Sequence, residues 1–209
     1  MDTKWLQWAR LIKSWAQTGI AYSKDSYDIE RYEKFQDLAA EIVAEHSIYD
    51  MGHVKQVLNH ETGPATPKVD VRGVVFKDDA ILMVREVSDD NRWTLPGGWA
   101  DVNDSPAATT VREVFEESGY ETRAVKLLAV YDKTRHDHPP AFLYVYKMFF
   151  LCELTGGKAT ISMETSEVRF FKEDELPPTE DLSLGRVTRK QLHRMFEFHR
   201  DPSLPTDFD

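Results

Sequence analysis

The chain has 209 residues, 41% of them apolar and 30% charged, with a formal net charge of −10. That length and balance provide one good core plus a small accessory piece and exclude a disordered chain. The negative charge argues against a broad nucleic-acid footprint, and no apolar run reaches the roughly 20 residues that cross a bilayer.

The N-terminal run "MDTKWLQWARLIKSW" is charged and amphipathic. It lacks the basic segment and continuous apolar stretch of a secretory signal, so the expected location is the cytoplasm. Trp5, Trp8, Ile12, Trp15 and Ala16 recur at helical spacing, with Gly19 as a stop. Tyr32, Phe35, Leu38, Ala39, Ile42 and Val43 form a second helical face. Two such helices make a hairpin over residues 1–62, too small to bury itself, so it must dock on something. "NHETGPATPK", from Asn59 to Lys68, is rich in turn formers and reads as a linker.

Beyond the linker the period changes to two. "VDVRGVVF" and "AILMVREV" read as strands, "RWTLPGGW" starts extended and ends in glycines, and "AATTVREVFEES" is helical. "ETRAVKLLAVYDK", "AFLYVYKMFFLCEL" and "SEVRFFKEDEL" hold further strands, and "VTRKQLHRMFEFHR" is a closing helix. The expected class is α+β, arranged α/β/α, with a second domain over 68–200. The single cysteine, Cys152, lies in an apolar run and reads as a small buried hydrophobe.

One stretch carries chemistry. Ser105 is a natural N-cap, Pro106 suits the first helical position, and Gly119 suits the position past the C-terminus, so a helix is expected over 106–118. Glu113, Glu116 and Glu117 then converge on one face of its last turn. Like charges at these spacings, at the negative end of the helix dipole, destabilise it. A solvated acidic face is the ordinary explanation. A divalent cation is the other, because it turns convergent carboxylates into ligands. The preceding pair Gly97–Gly98 lets backbone approach a metal or ligand closely.

This stretch resembles the signature of the Nudix hydrolases, Gly-x5-Glu-x7-Arg-Glu-apolar-x-Glu-Glu-x-Gly-apolar. Gly98, Arg112, Glu113, Val114, Glu116, Glu117 and Gly119 match in register. Asp104 stands where the family has Glu, and Tyr120 replaces the final aliphatic residue. The resemblance implies a mixed sheet between helices and Mg²⁺- or Mn²⁺-dependent cleavage of a nucleoside diphosphate linked to another group. It implies Glu113 and Glu117 as principal metal ligands, Glu116 as a ligand or water-orienting neighbour, Arg112 as their brace, and the carbonyl at or near Gly98 as a further ligand. It also implies one more carboxylate from a distant loop. Glu164 is the first choice for general base or extra ligand, and Glu167 the second.

Other residues stay open. Arg85, at the end of a strand, serves either a phosphate or an ordinary surface role. Trp99, beside the glycines, either stacks a nucleobase or packs in the core. His136 and His138 in "HDHPP" resemble a metal clip but read better as an exposed loop. The helical N-terminus, with "GGWADV", "KMFFLCELTGG" and "ETSEVRFFKEDELP", is similar to the bacterial CDP-choline pyrophosphatase group, often labelled ADP-ribose pyrophosphatases. That similarity implies a homodimer and hydrolysis of CDP-choline to CMP and phosphocholine, with ADP-ribose or another NDP-sugar as the alternative. A nucleotide-sensing module without catalysis is the remaining possibility.

Overall fold

The computed structural model describes residues 3–58 and 61–209. It divides into two compact units, one of Met1–Pro67 with Pro140–Tyr144 and one of Lys68–Pro139 with Val145–Asp209.

The first unit is helical. Helix α1 spans Lys4–Tyr22, running past Gly19, and α2 spans Ser26–Glu45. Asp25 caps α2 by accepting the Tyr27 and Asp28 N–H groups. A third helix, α3 (Met51–Leu58), is an addition to the expected hairpin; its eight residues are too few for a clear period. The expected linker begins at Asn59, but Asn59 and His60 lie outside the described residues, as do Met1 and Asp2.

The buried seam of α1 is Leu6, Ala9, Lys13, Ala16 and Gln17, facing a seam on α2 of Ala39, Ala40 and Val43. Ala16, Ala39 and Val43 of the expected faces lie in this seam, and the large aromatics and Leu38 do not. Alanines let the two backbones close up, and the larger aromatics are left outside: Trp8, Trp15, Phe35 and Leu38 are exposed. Pro140–Tyr144 joins this unit, with Phe142 against the α1–α3 cluster and Arg10 donating to the Ala141 and Phe142 carbonyls. The alternation expected to start a strand at Ala141 therefore becomes one only at Val145.

The second unit is a mixed seven-stranded sheet: β1 (Lys68–Lys77), β2 (Ala80–Glu86), β3 (Arg92–Thr94), β4 (Tyr120–Asp132), β5 (Val145–Gly157), β6 (Thr165–Lys172) and β7 (Asp207–Phe208). The order is β3-β2-β1-β5-β4-β7, with β6 beside β2. β1 and β5 run parallel, placing Asp70 opposite Lys147, and β4 pairs antiparallel with β5. Helix α4 (Pro106–Ser118) covers one face, over Val71, Val75, Leu82, Phe150 and Cys152. Helix α5 (Arg189–Arg200) covers the other, sending Leu192, Met195 and Phe196 onto Val74, Ile81, Met83 and Phe149. This is an α/β/α fold, as expected. Gly73 admits α4: a Cβ there would stand 2.3 Å from Val114 Cγ2.

Candidate active site

Helix α4 starts and stops on local signals. Ser105 Oγ accepts the Ala108 N–H at 3.1 Å, Pro106 opens the first turn, and Gly119, at φ +75°, donates to the Phe115 carbonyl. With Val114 pinned in the core, Glu113 and Glu117 turn toward a cleft of about 480 Å³. The cleft is also lined by Gly97, Gly98, Trp99, Glu86 and Glu164.

Glu117 is 3% exposed and accepts the Gly97 N–H at 2.8 Å. Gly97 has φ +143°, and a Cβ on it would lie 2.1 Å from the Val71 carbonyl oxygen, so only glycine can present that N–H. Burial pushes the Glu117 carboxyl up to about 8; Arg72 and the Gly97 N–H oppose the shift, and Glu86 and Glu113 add to it. Burial also raises Glu113, with Arg112 pulling down and Glu116 and Glu164 pushing up. Gly98 lies against Glu113, whose Oε2 would be 3.1 Å from a Cβ on that glycine. The Gly98 carbonyl accepts the Val71 N–H at 2.8 Å, leaving one lone pair.

Arg112 draws the acidic loop together. It reaches Asp101 and Glu116 at 2.6 Å, Glu113 at 3.0 Å, and Asp104 at 3.9 Å. Glu116 is outside the cleft lining; i,i+4 geometry leaves it exposed on Arg112. Glu164 lies in the loop just before β6 and does line the cleft, as does exposed Trp99. Arg85 and Glu167 are absent from the lining. They face each other across the β2–β6 pair at 3.5 Å, and Arg85 also donates to the Asn91 carbonyl. Strand alternation is the reason: Glu86, the next residue, is the one turned inward.

The sequence reading missed a charged wall. Asp70 and Arg72 on β1 and Lys147 on β5 are buried and line the cleft. Arg72 holds both Asp70 oxygens at 3.0 and 2.7 Å, and Lys147 Nζ donates to Asp70 at 2.6 Å. Burial works against the Asp70 charge, but the two cations outweigh it and hold the carboxyl well below the usual range. Burial, aided by the Arg72 charge, pulls Lys147 down to about 8. Arg186, from the loop before α5, also lines the cleft and braces Glu86 at 3.4 Å. One signal was present: in "VDVRGVVF" two opposite charges stand two apart on an otherwise apolar strand, and so share a face.

His138 is corrected as well. It is buried rather than exposed, with Nδ1 2.7 Å from the Leu184 carbonyl and Nε2 3.0 Å from Gln191 Nε2. Both ring nitrogens are thereby used inside the protein, which removes it as a metal clip.

A hard divalent cation fits the donors at the α4 end of the cleft: crowded carboxylates whose charges push one another's pKa upward, beside a backbone carbonyl with a spare lone pair. Among the described residues, no group of three His, Cys, Asp or Glu is close enough to hold an ion by itself. Among the same residues, no helix is long and apolar enough to cross a membrane.

Comparison with known proteins gives a consistent result. The NUDIX domain model matches residues 66–191, and a model described as a UDP-X-like, N-terminal oligomerisation domain matches residues 3–58. YjhB of Bacillus subtilis (strain 168), whose name gives it provisionally as an ADP-ribose pyrophosphatase, is 46% identical over 209 residues, covering 100% of this chain and 99% of its own. The crystal structure of an ADP-ribose pyrophosphatase from Streptococcus suis 89-1591 is 41% identical at a TM-score of 0.62, covering 69% of this chain and 100% of that one. That of a UDP-X diphosphatase is 30% identical at a TM-score of 0.63 and covers 98% of each chain. On these matches the chain belongs to the Nudix family, as a hydrolase of pyrophosphate bonds.

Proposed function

We propose that the chain hydrolyses ADP-ribose or another NDP-sugar, releasing a nucleoside monophosphate and a sugar phosphate. Relatives named for ADP-ribose and UDP-X support this class, whereas none of those compared supports the CDP-choline expectation. The observation that carries the reading is the seating of Glu113, Glu117 and Glu164 around Gly97–Gly98 in one cleft that also bears buried cations.

In this reading Glu113 and Glu117 are the metal-holding carboxylates, with the Gly98 carbonyl beside them. Mg²⁺, or Mn²⁺, would neutralise pyrophosphate oxygens and lower the pKa of a bound water. Glu164, at the loop end of the cleft, takes the proton of the attacking water through its carboxylate. Arg112 fixes Glu113, and Glu116 acts on Arg112 rather than on substrate. Trp99 offers a face on which a base can stack, worth about 1–3 kcal/mol. Arg85 and Glu167, paired outside the lining, are left out of the mechanism.

The test is turnover of ADP-ribose, UDP-glucose and CDP-choline with Mg²⁺, read as monophosphate released. ADP-ribose or UDP-glucose is expected to give the highest kcat/KM. Faster turnover of CDP-choline would restore the first expectation, and turnover of none would overturn the activity.

The assembly is proposed as a homodimer through the helical unit. Trp8, Leu11 and Trp15 make an exposed stripe at helical spacing on α1, and the matching N-terminal model is described as an oligomerisation domain. Sedimentation should give twice the single-chain mass; a monomer at micromolar concentration would refute it.

A further inference from the structure

Lys147 is 1% exposed, lines the cleft, and donates to Asp70 Oδ1 at 2.6 Å. An ammonium carries three N–H donors, and Asp70 takes one of them. That carboxylate is shared: Arg72 already holds both its oxygens. Two buried cations therefore divide one anion between them. Arg186, another cation of the lining, is already engaged, with Ser88, Ser183, Glu86 and Asp89 around its guanidinium.

Lys147 also stands close to the glutamates. Its Nζ and the Arg72 Nε bond the same Asp70 oxygen, so they lie no further apart than those two bonds laid end to end. Arg72 acts in turn on Glu117, and its Cα would be 2.9 Å from a Cβ on Gly97, the residue that donates to Glu117. Lys147 is thus one side chain removed from the carboxylates that face the pyrophosphate. A pyrophosphate diester carries two negative charges into a chain of net charge −10. One cation among the glutamates covers one side of it. Lysine binds phosphate as a point charge, and charge-assisted bonds of this kind are the strong ones.

We propose that Lys147 is a phosphate-binding residue: its unspent N–H groups take a pyrophosphate oxygen in the cleft beside the glutamates, while Asp70, itself held by Arg72, keeps the ammonium in place. This rests on the nucleoside diphosphate substrates and the metal-holding glutamates proposed above. Because the phosphates are common to every NDP-X compound, the contact belongs to the shared core of the substrate and not to the group X.

Lys147→Met tests it. Arg72 still satisfies both Asp70 oxygens in that variant, so no buried acid is stranded. KM and kcat for ADP-ribose, UDP-glucose and CDP-choline would be measured with Mg²⁺, and the Kd of magnesium pyrophosphate by calorimetry. The expected result is a KM raised tenfold or more, by a similar factor for each compound turned over, with kcat less affected and the Kd weakened at least tenfold. A KM and Kd within twofold of the native values would overturn the assignment, as would losses differing tenfold between compounds. In the native protein the Lys147 Nζ resonance should shift when magnesium pyrophosphate is added; an unmoved resonance also overturns it, whether or not the variant folds. Turnover of none of the three compounds would remove the proposed function and this inference together. Turnover that Lys147→Met leaves intact removes the inference alone.

Discussion

Trp15 of α1 and Lys147 of β5 stand on opposite sides of one rule. Trp15 is a large apolar residue and is 66% exposed; Lys147 is charged and almost fully buried. The helical unit repeats the first pattern at Trp8, Leu11, Phe35 and Leu38, and the sheet unit repeats the second at Asp70, Arg72, Glu86 and Glu117. Each arrangement costs stability in the isolated chain, through apolar surface left in water or charge taken out of it. The two costs point to different partners: a second apolar surface for the helices, and ions for the cleft. The difference also separates two kinds of evidence. The helical stripe indicates assembly and says nothing of chemistry, whereas the buried charges are arranged around a cavity that a small anion can enter.

The sharpest way to break the comparison is to remove a buried charge. Glu117→Gln keeps the shape and the Gly97 contact but loses a carboxylate proposed to hold the metal. Activity should fall by at least about 100-fold, since even outer-shell changes at metal sites cost about 10–100-fold. Mg²⁺ should raise the Tm of the native protein, because a ligand bound only by the folded state stabilises it, and should raise that of Glu117→Gln much less. Equal activity, or equal Mg²⁺ response, would show that the buried glutamate serves packing alone.

The corresponding change in the helical unit adds charge to the exposed stripe. Trp8→Glu with Trp15→Glu should leave α1 folded, since neither tryptophan belongs to the buried seam of Leu6, Ala9, Lys13, Ala16 and Gln17, and should convert the proposed dimer to a monomer in sedimentation. A variant that still sediments as a dimer would place the interface elsewhere.

His138 sharpens the contrast from the third direction, as a buried group kept neutral. Burial pulls it down to about 4, while the Leu184 carbonyl pulls the other way. Its folded pKa is below the unfolded value near 6.5, so between pH 6.5 and 4 the unfolded chain binds the extra proton. Stability from this group is complete above pH 6.5 and lost as the pH falls toward 4, by about 3 kcal/mol at most. Denaturant midpoints should fall over that window more steeply for the native chain than for His138→Gln. Parallel slopes would mean the ring is not held neutral.

How much of this could be read beforehand depended on sequence range. Helix α4 was legible to the residue because Ser105, Pro106 and Gly119 act within a turn of their own positions. The α/β/α class was legible from the order of periods. The charged wall was not, because it needs β1 and β5 to pair in parallel across more than seventy residues, and only that register sets Asp70 opposite Lys147. The helix faces were legible only in part, for a different reason. Periodicity marks apolar residues, and in α1 the close-packed seam uses alanines while the tryptophans point away. Of the two roles open to Arg85, its absence from the cleft lining fits the surface one, because strand alternation gives Glu86 the inward position.

Asp104 gives the smallest effect and the finest test. Its carboxylate stops 3.9 Å from Arg112 Nε, beyond hydrogen-bond reach, while Asp101, Glu113 and Glu116 already hold that guanidinium. Both partners are partly exposed, so the pair contributes about 0.2–1 kcal/mol at most. Asp104→Glu adds the methylene that would close the gap. Activity should stay level or rise by no more than about threefold, because the gain acts on a brace already anchored three times over. Glu113→Gln, on the same guanidinium but facing the cleft, should abolish activity. If the two variants gave comparable rates, position within the Arg112 network would not matter, and the distinction between carboxylates inside and outside the cleft would fail.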